Sequence, residues 1–567
     1  MLDRRRRGAI GLGVSASLFL GLSCSTGSDA VDDQRVPDPV SRAAAVRFLN
    51  RATFGASLAD TDVVAREGYA RWLDGQFQLP PTLLLPTLVQ FGCAPELPNI
   101  DDCPDYDPDP QIQLRRIQWW TNATYAPDQL RQRVAFALSE IFVASALDDE
   151  LADRSVLIVD YYDTLARGAF GTYRELLEDV TLHPVMGVYL SMLKNRKADP
   201  VEGTRPDENF AREVMQLFSI GLAQLDPTGQ PLLDAQGEPI PTYDQDVIVD
   251  TARALTGWTY ASDVPPNGNV YDFLDLDARL GRMVPWPAFH DTGAKTIVGG
   301  IQIPAGLSAE GDLAAVLDAL ATHPNVGPFM GRQLIQRLVT SNPSPAYVGR
   351  ISAVWDDDGS GVRGNLGAVV RAILLDPEAL GGHAAAPTTF GKVREPILRV
   401  TGIWRAFEAT GTSNEIALVA TELLGQAPME APSVFNFFSP SFTTSTLASQ
   451  GLVAPELQIS THSAITRLSN ALTFMILEGN DLTADPNYPD PVLQLAAVRS
   501  AAGDVTELVD LLDERMLGGT LESGARTALE TYLETIPNSG DGEPAGARRA
   551  AEAIALLAMS PAYGIQR

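Results

Sequence analysis

From Val40 onward the apolar residues recur at steps of three and four, and that spacing constrains the fold more than any other feature of the chain. AAAVRFLNRATF, DQLRQRVAFALSEIFVASAL and YYDTLARGAFGTYRELLEDVTLHPVMGVYLSML all carry it. So do DQDVIVDTARALTGW, DLAAVLDALATHP, GPFMGRQLIQRLVT, NLGAVVRAILLDPEAL, VREPILRVTGIWRAF and the run from Ala454 to Leu477. A helix turns once in about 3.6 residues, so this spacing gathers the apolar side chains on one face that must be buried. Pro and Gly punctuate the runs at suitable ends, as at Pro127 and Pro184. Apolar strand-like runs do not alternate with helices, which argues against a TIM barrel or a Rossmann sheet. The expected fold is mainly α, a multi-helix array. Two packed lobes are expected, because 567 residues exceed the roughly 250–300 at which a single core stops growing.

Residues 260–304 break the helical pattern. They are rich in Gly, Pro and aromatics, and KTIVGGIQI has the look of a small β-hairpin. The expected layout is therefore an N-terminal helical lobe over 41–259, this insertion, a second helical lobe over 305–480, and a C-terminal helical segment over 481–567.

Residues 1–23 read as an export signal. Arg4, Arg5, Arg6 and Arg7, loosely resembling a twin-arginine signal, precede an apolar stretch from Gly8 to Leu22. That stretch is too short to span a hydrocarbon core of about 30 Å comfortably. It ends in Leu20-Gly21-Leu22-Ser23-Cys24, which resembles a bacterial lipobox, although Gly21 stands where Leu is usual. Residues 24–40, opening STGSDAVDDQ, suit a flexible tether. Cys24 is the expected lipidation site, and the protein is expected on the extracytoplasmic side of a membrane, held there by the lipid anchor only. The rival reading is ordinary cleavage after Ser23, with Cys24 incidental. Cys93 and Cys103 remain, bracketing a Pro- and Asp-rich loop. In an oxidising compartment the pair is expected to close a disulfide, contributing about 2–3 kcal/mol; two free thiols or half of a metal site are the alternatives.

The formal net charge of −29 repels phosphate backbones, and no basic stripe interleaves with aromatics, so nucleic acid is not an expected partner.

Three segments hold candidate chemistry. In ENFAREVMQLF, Asn209, Arg212, Glu213 and Gln216 fall on one helical face opposite Phe210, Val214, Met215, Leu217 and Phe218. Functionally, Glu213 would serve as base or ligand and Arg212 as an anion clamp, with Asn209 and Gln216 binding beside them. The plainer reading is a solvated face, with Glu208 pairing Arg212 four residues on. In WPAFHDTGAKT, His290, Asp291 and Lys295 lie amid Trp286 and Phe289, which suits acid–base or metal chemistry or, equally, a loop histidine bonded locally. A joint site would use Glu213, His290 and Asp291 as catalytic or metal-ligating groups, with a divalent metal as cofactor. His183 and His323 each precede Pro or sit at a helix end and read as caps. In DDDGSGVRGNLG, Asp356, Asp358, Ser360 and Gly361 match four positions of a calcium loop, but Gly367 replaces its closing Glu. An acidic turn leading into a helix at Asn365 is expected instead. No G-x-S-x-G elbow, H-E-x-x-H or P-loop is present.

Ten segments, in order, carry a resemblance to a known family: RFLNRATFG, LRQRVAFALSEIFV, ENFAREVMQLFSIG, ARALTGW, FHDTGAKTIVGG, NPSPAYV, VRGNLGAVVRAILLDPEA, KVREP, APSVFNFFSP and SPAYGIQR. Together they cover nearly all of the chain from Ser41 and resemble the domain-of-unknown-function 1800 family of bacterial exported proteins. The resemblance implies an exported helical domain, often encoded beside a second, sulfatase-like exported protein. It implies no accepted reaction, and no catalytic residue carries over. The expected function is a lipid-anchored envelope protein that binds or assembles with another exported protein; a metal-assisted hydrolase built on Glu213, His290 and Asp291 is the alternative.

Overall fold

The computed structural model describes residues 38–91, 108–261, 280–411, 415–477, 491–539 and 545–567. Cys24, Cys93 and Cys103 lie outside them, and so do the lipidation and disulfide expectations. Within the described residues the fold is mainly α, as the periodicity requires. The helices begin where the sequence supplies caps. Ser41 accepts the Ala44 N–H at 3.2 Å at the head of Arg42–Ala52, and Thr172 with Glu175 forms a reciprocal capping box at the head of Tyr173–Leu182. Among the described residues no helix is long and apolar enough to cross a membrane.

Strands are confined to two-stranded ribbons. β1 (Trp258–Thr259) pairs with β2 (Val284–Pro285), and β3 (Lys295–Ile297) pairs antiparallel with β4 (Ile301–Ile303). The second pair is the hairpin expected from KTIVGGIQI; Gly299 and Gly300 both hold φ of +72° at its tip, where a side chain would be strained. β5 (Lys392–Val393) pairs with β6 (Ile565–Gln566), tying the chain's end to KVREP.

A further ribbon was not legible in the sequence. Residues 222–226, 230–234 and 238–242 run back and forth through isolated bridges, Ala223 to Pro241, Leu225 to Pro231 and Leu233 to Pro239. Its two turns, DPTGQP and DAQGEP, are sealed from within. Asp226 Oδ1 accepts the N–H groups of Thr228 and Gln230, and Asp234 Oδ1 those of Gln236 and Glu238.

Residues Pro37–Arg567 form one compact unit with two apolar cores, but the cores do not divide where the lobe boundaries were expected. Helices Ala309–Thr322, Val326–Leu338 and Leu366–Leu375 pack into the first core with Arg42–Ala52 and Tyr173–Leu182. The second core is built from Pro396–Ala406 onward, together with Trp119, Trp120 and Leu88. Helix Gln129–Ser139 belongs to both: Leu130, Val134 and Leu138 face the first core, Ala135 and Phe136 the second. It is buried on every side, and its arginines reach carbonyls of distant segments, although Arg131 Nε and Arg133 Nε and Nη1 have no partner among the described residues. Arg131 donates to Ala166 O (3.1 Å) and Arg133 to Arg337 O (2.6 Å).

Candidate functional site

ENFAREVMQLF forms the helix Asn209–Gln216, with Phe210, Val214 and Met215 buried as expected. Its polar face does not act as one unit. Asn209 is exposed, and Arg212 pairs with Glu208 at 3.2 Å, the plainer of its two readings. Glu213 turns inward: it is 6% exposed, and its Oε2 has no hydrogen-bond partner among the described residues. Burial raises its carboxyl pKa, against the opposing charge of Arg212. Tyr243 lies close enough to feel it, its hydroxyl pushed up to about 12 by burial and then by Glu213. Gln216, one turn on, faces a cavity.

The WPAFHDTGAKT residues are brought together, though not as a metal site. The His290 Nδ1 lies 2.9 Å from Thr256 O, and Nε2 lies 3.2 Å from the buried Asp312 Oδ2. Lys295 is fully buried; its Nζ donates to Asp291 O (2.5 Å) and Gly293 O (2.8 Å) and pairs with Asp312 Oδ2 at 2.6 Å. Two of the three ammonium donors are thus used on backbone carbonyls, and the charge is met by Asp312. Asp291 takes the Arg253 fork, Oδ2 from Nε at 3.0 Å and Oδ1 from Nη2 at 3.1 Å. Burial would raise its pKa, but the Arg253 fork, the Gly293 N–H and Lys295 outweigh that and hold it below the usual carboxylate range.

The His290 Nδ1 is held by Thr256 O, its Nε2 faces Asp312 without a hydrogen bond, and Glu213 joins none of these contacts. Among the described residues no group of three or more His, Cys, Asp or Glu is gathered to hold an ion. Of the expected Glu213–His290–Asp291 set, His290 and Asp291 belong, with Lys295 and Asp312, to one buried polar network that Glu213 does not join. Through Asp312, it fastens the insertion to the first turn of helix Ala309–Thr322. His183 and His323 are caps: Val185 N–H donates to one Nδ1 and Asn325 N–H to the other. The acidic turn closes on itself as expected, with Asp358 Oδ1 bonded to Ser360 and Val362 and Oδ2 to Asn365.

A second polar centre, missed in the sequence, lies between the two cores. Lys392 Nζ reaches Arg337 O (2.8 Å), Glu395 Oε1 (3.2 Å) and Glu456 Oε1 (3.0 Å), all buried. Glu395 Oε2 accepts from Gln426 at 2.7 Å, and Asn436 donates to Glu140 Oε1 at 3.2 Å. Arg337 donates to Glu140 O at 2.8 Å. Glu140 and Glu395 are buried near enough to shift each other's carboxyl. Burial, then the charge of Glu395, drives Glu140 upward, while Lys392 and Arg133 overcome burial and drive Glu395 down. The two carboxyls are thus pushed in opposite directions, Glu140 toward its protonated form and Glu395 toward its charged one. The usable signal was a lone acid inside an apolar run, AFALSEIFV, and paired charges in KVREP.

Above this centre opens a cavity of about 550 Å³. One wall is helix Val326–Leu338, whose Phe329, Arg332, Gln333, Gln336 and Arg337 share a face. Residues 221–231 of the ribbon form another, and Val434, Phe435 and Val453 a third; Glu140 reaches its floor. Gly221, at φ +70°, lets the ribbon approach: a Cβ there would come within 2.7 Å of the Phe329 ring. A separate apolar groove of about 700 Å³ lies near the C-terminus among Leu529, Tyr532, Leu556 and Ile565.

Fold and site define a helical protein with a buried ionic centre beneath a largely apolar cavity. Residues 47–565 match the family model described as "Protein of unknown function (DUF1800)", and the chain belongs to that family. No curated protein and no solved structure matches it.

Proposed function

We propose that this is an exported, lipid-anchored protein of the cell envelope that binds a largely apolar ligand or segment in the cavity beside the 222–242 ribbon, without transforming it. The observation that supports this reading is the cavity: about 550 Å³, apolar on its walls, with Gln216, Arg332 and Gln333 as separated polar points. That size and mixture suit a ligand site. The binding reading is preferred to the metal-assisted hydrolase because the described residues gather no group of three or more His, Cys, Asp or Glu, and Glu213 joins none of the contacts of His290 and Asp291. Export and anchoring rest on the basic and apolar leader, Cys24 and the polar spacer. Association with a second, sulfatase-like exported protein rests on the family resemblance alone, and co-purification from native membranes tests it: recovery of the anchored chain without such a partner would remove it. The binding reading is tested by hydrogen exchange with and without an apolar probe. Slower exchange at the cavity walls supports it, and unchanged exchange there removes it.

A further inference from the structure

The polar groups on the cavity's helical wall are not equally engaged. Arg337 donates to Gln333 O, Gln333 Oε1 and Glu140 O. Gln336 Nε2 donates to Ser341 O and Pro440 O. Arg332, one turn before Gln336 on the same face, makes no hydrogen bond or ion pair with any described residue. Burial lowers its pKa, and no neighbouring carboxylate acts to raise it. A half-buried guanidinium with no counter-ion is unfavourable in any protein. In a chain of net charge −29, where carboxylates are abundant, its isolation is informative.

A carboxylate matches the guanidinium fork in charge and in bidentate geometry. The rest of the ligand must suit walls of Leu217, Leu222, Leu225 and Phe329. A peptide would bring N–H and C=O groups that need partners along its length, and the amide of Gln336 is already spent; an acyl chain needs none. A polyanion such as a nucleotide would be repelled by the chain's overall charge.

We propose that the cavity binds a straight-chain fatty acid, its acyl chain against the leucine and phenylalanine walls and its carboxylate on Arg332; this rests on the cavity being a ligand site. The test titrates the full mature chain and its Arg332→Gln and Arg332→Lys variants with dodecanoate below its micellar concentration and with dodecan-1-ol below its solubility limit. Dodecanoate should bind the wild type at one site and more tightly than the alcohol. Arg332→Gln should weaken dodecanoate about tenfold or more, the usual size of a charge-assisted hydrogen bond, and leave dodecan-1-ol unchanged. Arg332→Lys should keep part of the preference. Equal binding of acid and alcohol, or no effect of Arg332→Gln, would overturn the fatty-acid inference while leaving the cavity reading intact. If neither probe binds the wild type, both readings fall.

Discussion

Lys295 decides whether the His290 segment is a site or a fastening. In the wild type its ammonium meets a fully buried carboxylate, Asp312, at 2.6 Å and two backbone carbonyls at 2.5 and 2.8 Å. Lys295→Met keeps the length of the stem and removes the charge. Asp312 then keeps only His290, 3.2 Å away, and both carbonyls lose a donor. Removing one partner of a buried pair costs about 3–5 kcal/mol. Unfolding entropy is about 2.1 cal/mol/K per residue, or on the order of 1 kcal/mol/K for roughly 500 residues unfolding together. Each kcal/mol therefore moves Tm by about 1 °C, and Lys295→Met should melt about 3–5 °C below wild type. Differential scanning fluorimetry at low ionic strength measures this. Lys295→Met with Asp312→Leu, which removes both charges, should recover part of the loss. A single variant that melts with wild type would refute the reasoning, because a free lysine in a working site is dispensable for folding and a clamped one is not.

Two further outcomes follow from the polar centre and the leader. Glu140 is pushed up to about 8, mainly by burial and then by Glu395, against Arg337 and Lys392. A carboxyl raised in the folded state contributes stability that is present below its unfolded value, about 4.3, and lost as pH rises through the folded one. Glu456, also raised by burial, acts with the same sign, while Glu395 is lowered and opposes it; Arg133, Arg337 and Lys392 are the cations that face these carboxyls. Glu140→Gln, which mimics the protonated form, should therefore lose less stability than wild type between pH 6 and 9; parallel urea midpoints would contradict the raised Glu140 carboxyl. Mass spectrometry of the mature, unreduced chain should find a lipid-modified N-terminus at Cys24 and a peptide linking Cys93 to Cys103. A different N-terminus, or two alkylatable thiols, would remove the corresponding expectation.

The helices and the β3–β4 hairpin were legible because each is written locally, in three-four spacing or in a Gly-Gly turn between β-branched residues. The ribbon at 222–242 was not, since its short strands lack alternation and its turns depend on Asp226 and Asp234 folding back on their own loops. Nor was the division of the two cores. That depends on helix Gln129–Ser139 being buried all round, and its arginines look solvent-facing until Ala166 and Arg337 supply carbonyls from afar. Gln216, read as a binding residue beside Glu213, lines the cavity instead. His290, Asp291 and Lys295 were singled out because polar groups amid aromatics must be paired; that reasoning identifies burial but not purpose, and here the partners were Asp312, Arg253 and backbone. Arg332 was invisible because nothing in RQLIQRLVT distinguishes it from Arg337, one turn on. Only the fold leaves one engaged and the other open.

The central claim, that the cavity is the working site, is tested most directly by mapping where an apolar ligand lands. Hydrogen exchange of the mature chain with and without saturating dodecan-1-ol distinguishes this cavity from the C-terminal groove. The account predicts slower exchange in residues 217–231, 329–337 and 434–441, with 520–532 and 556–567 unchanged. Protection confined to the C-terminal groove, or no protection in any of these segments, would contradict it.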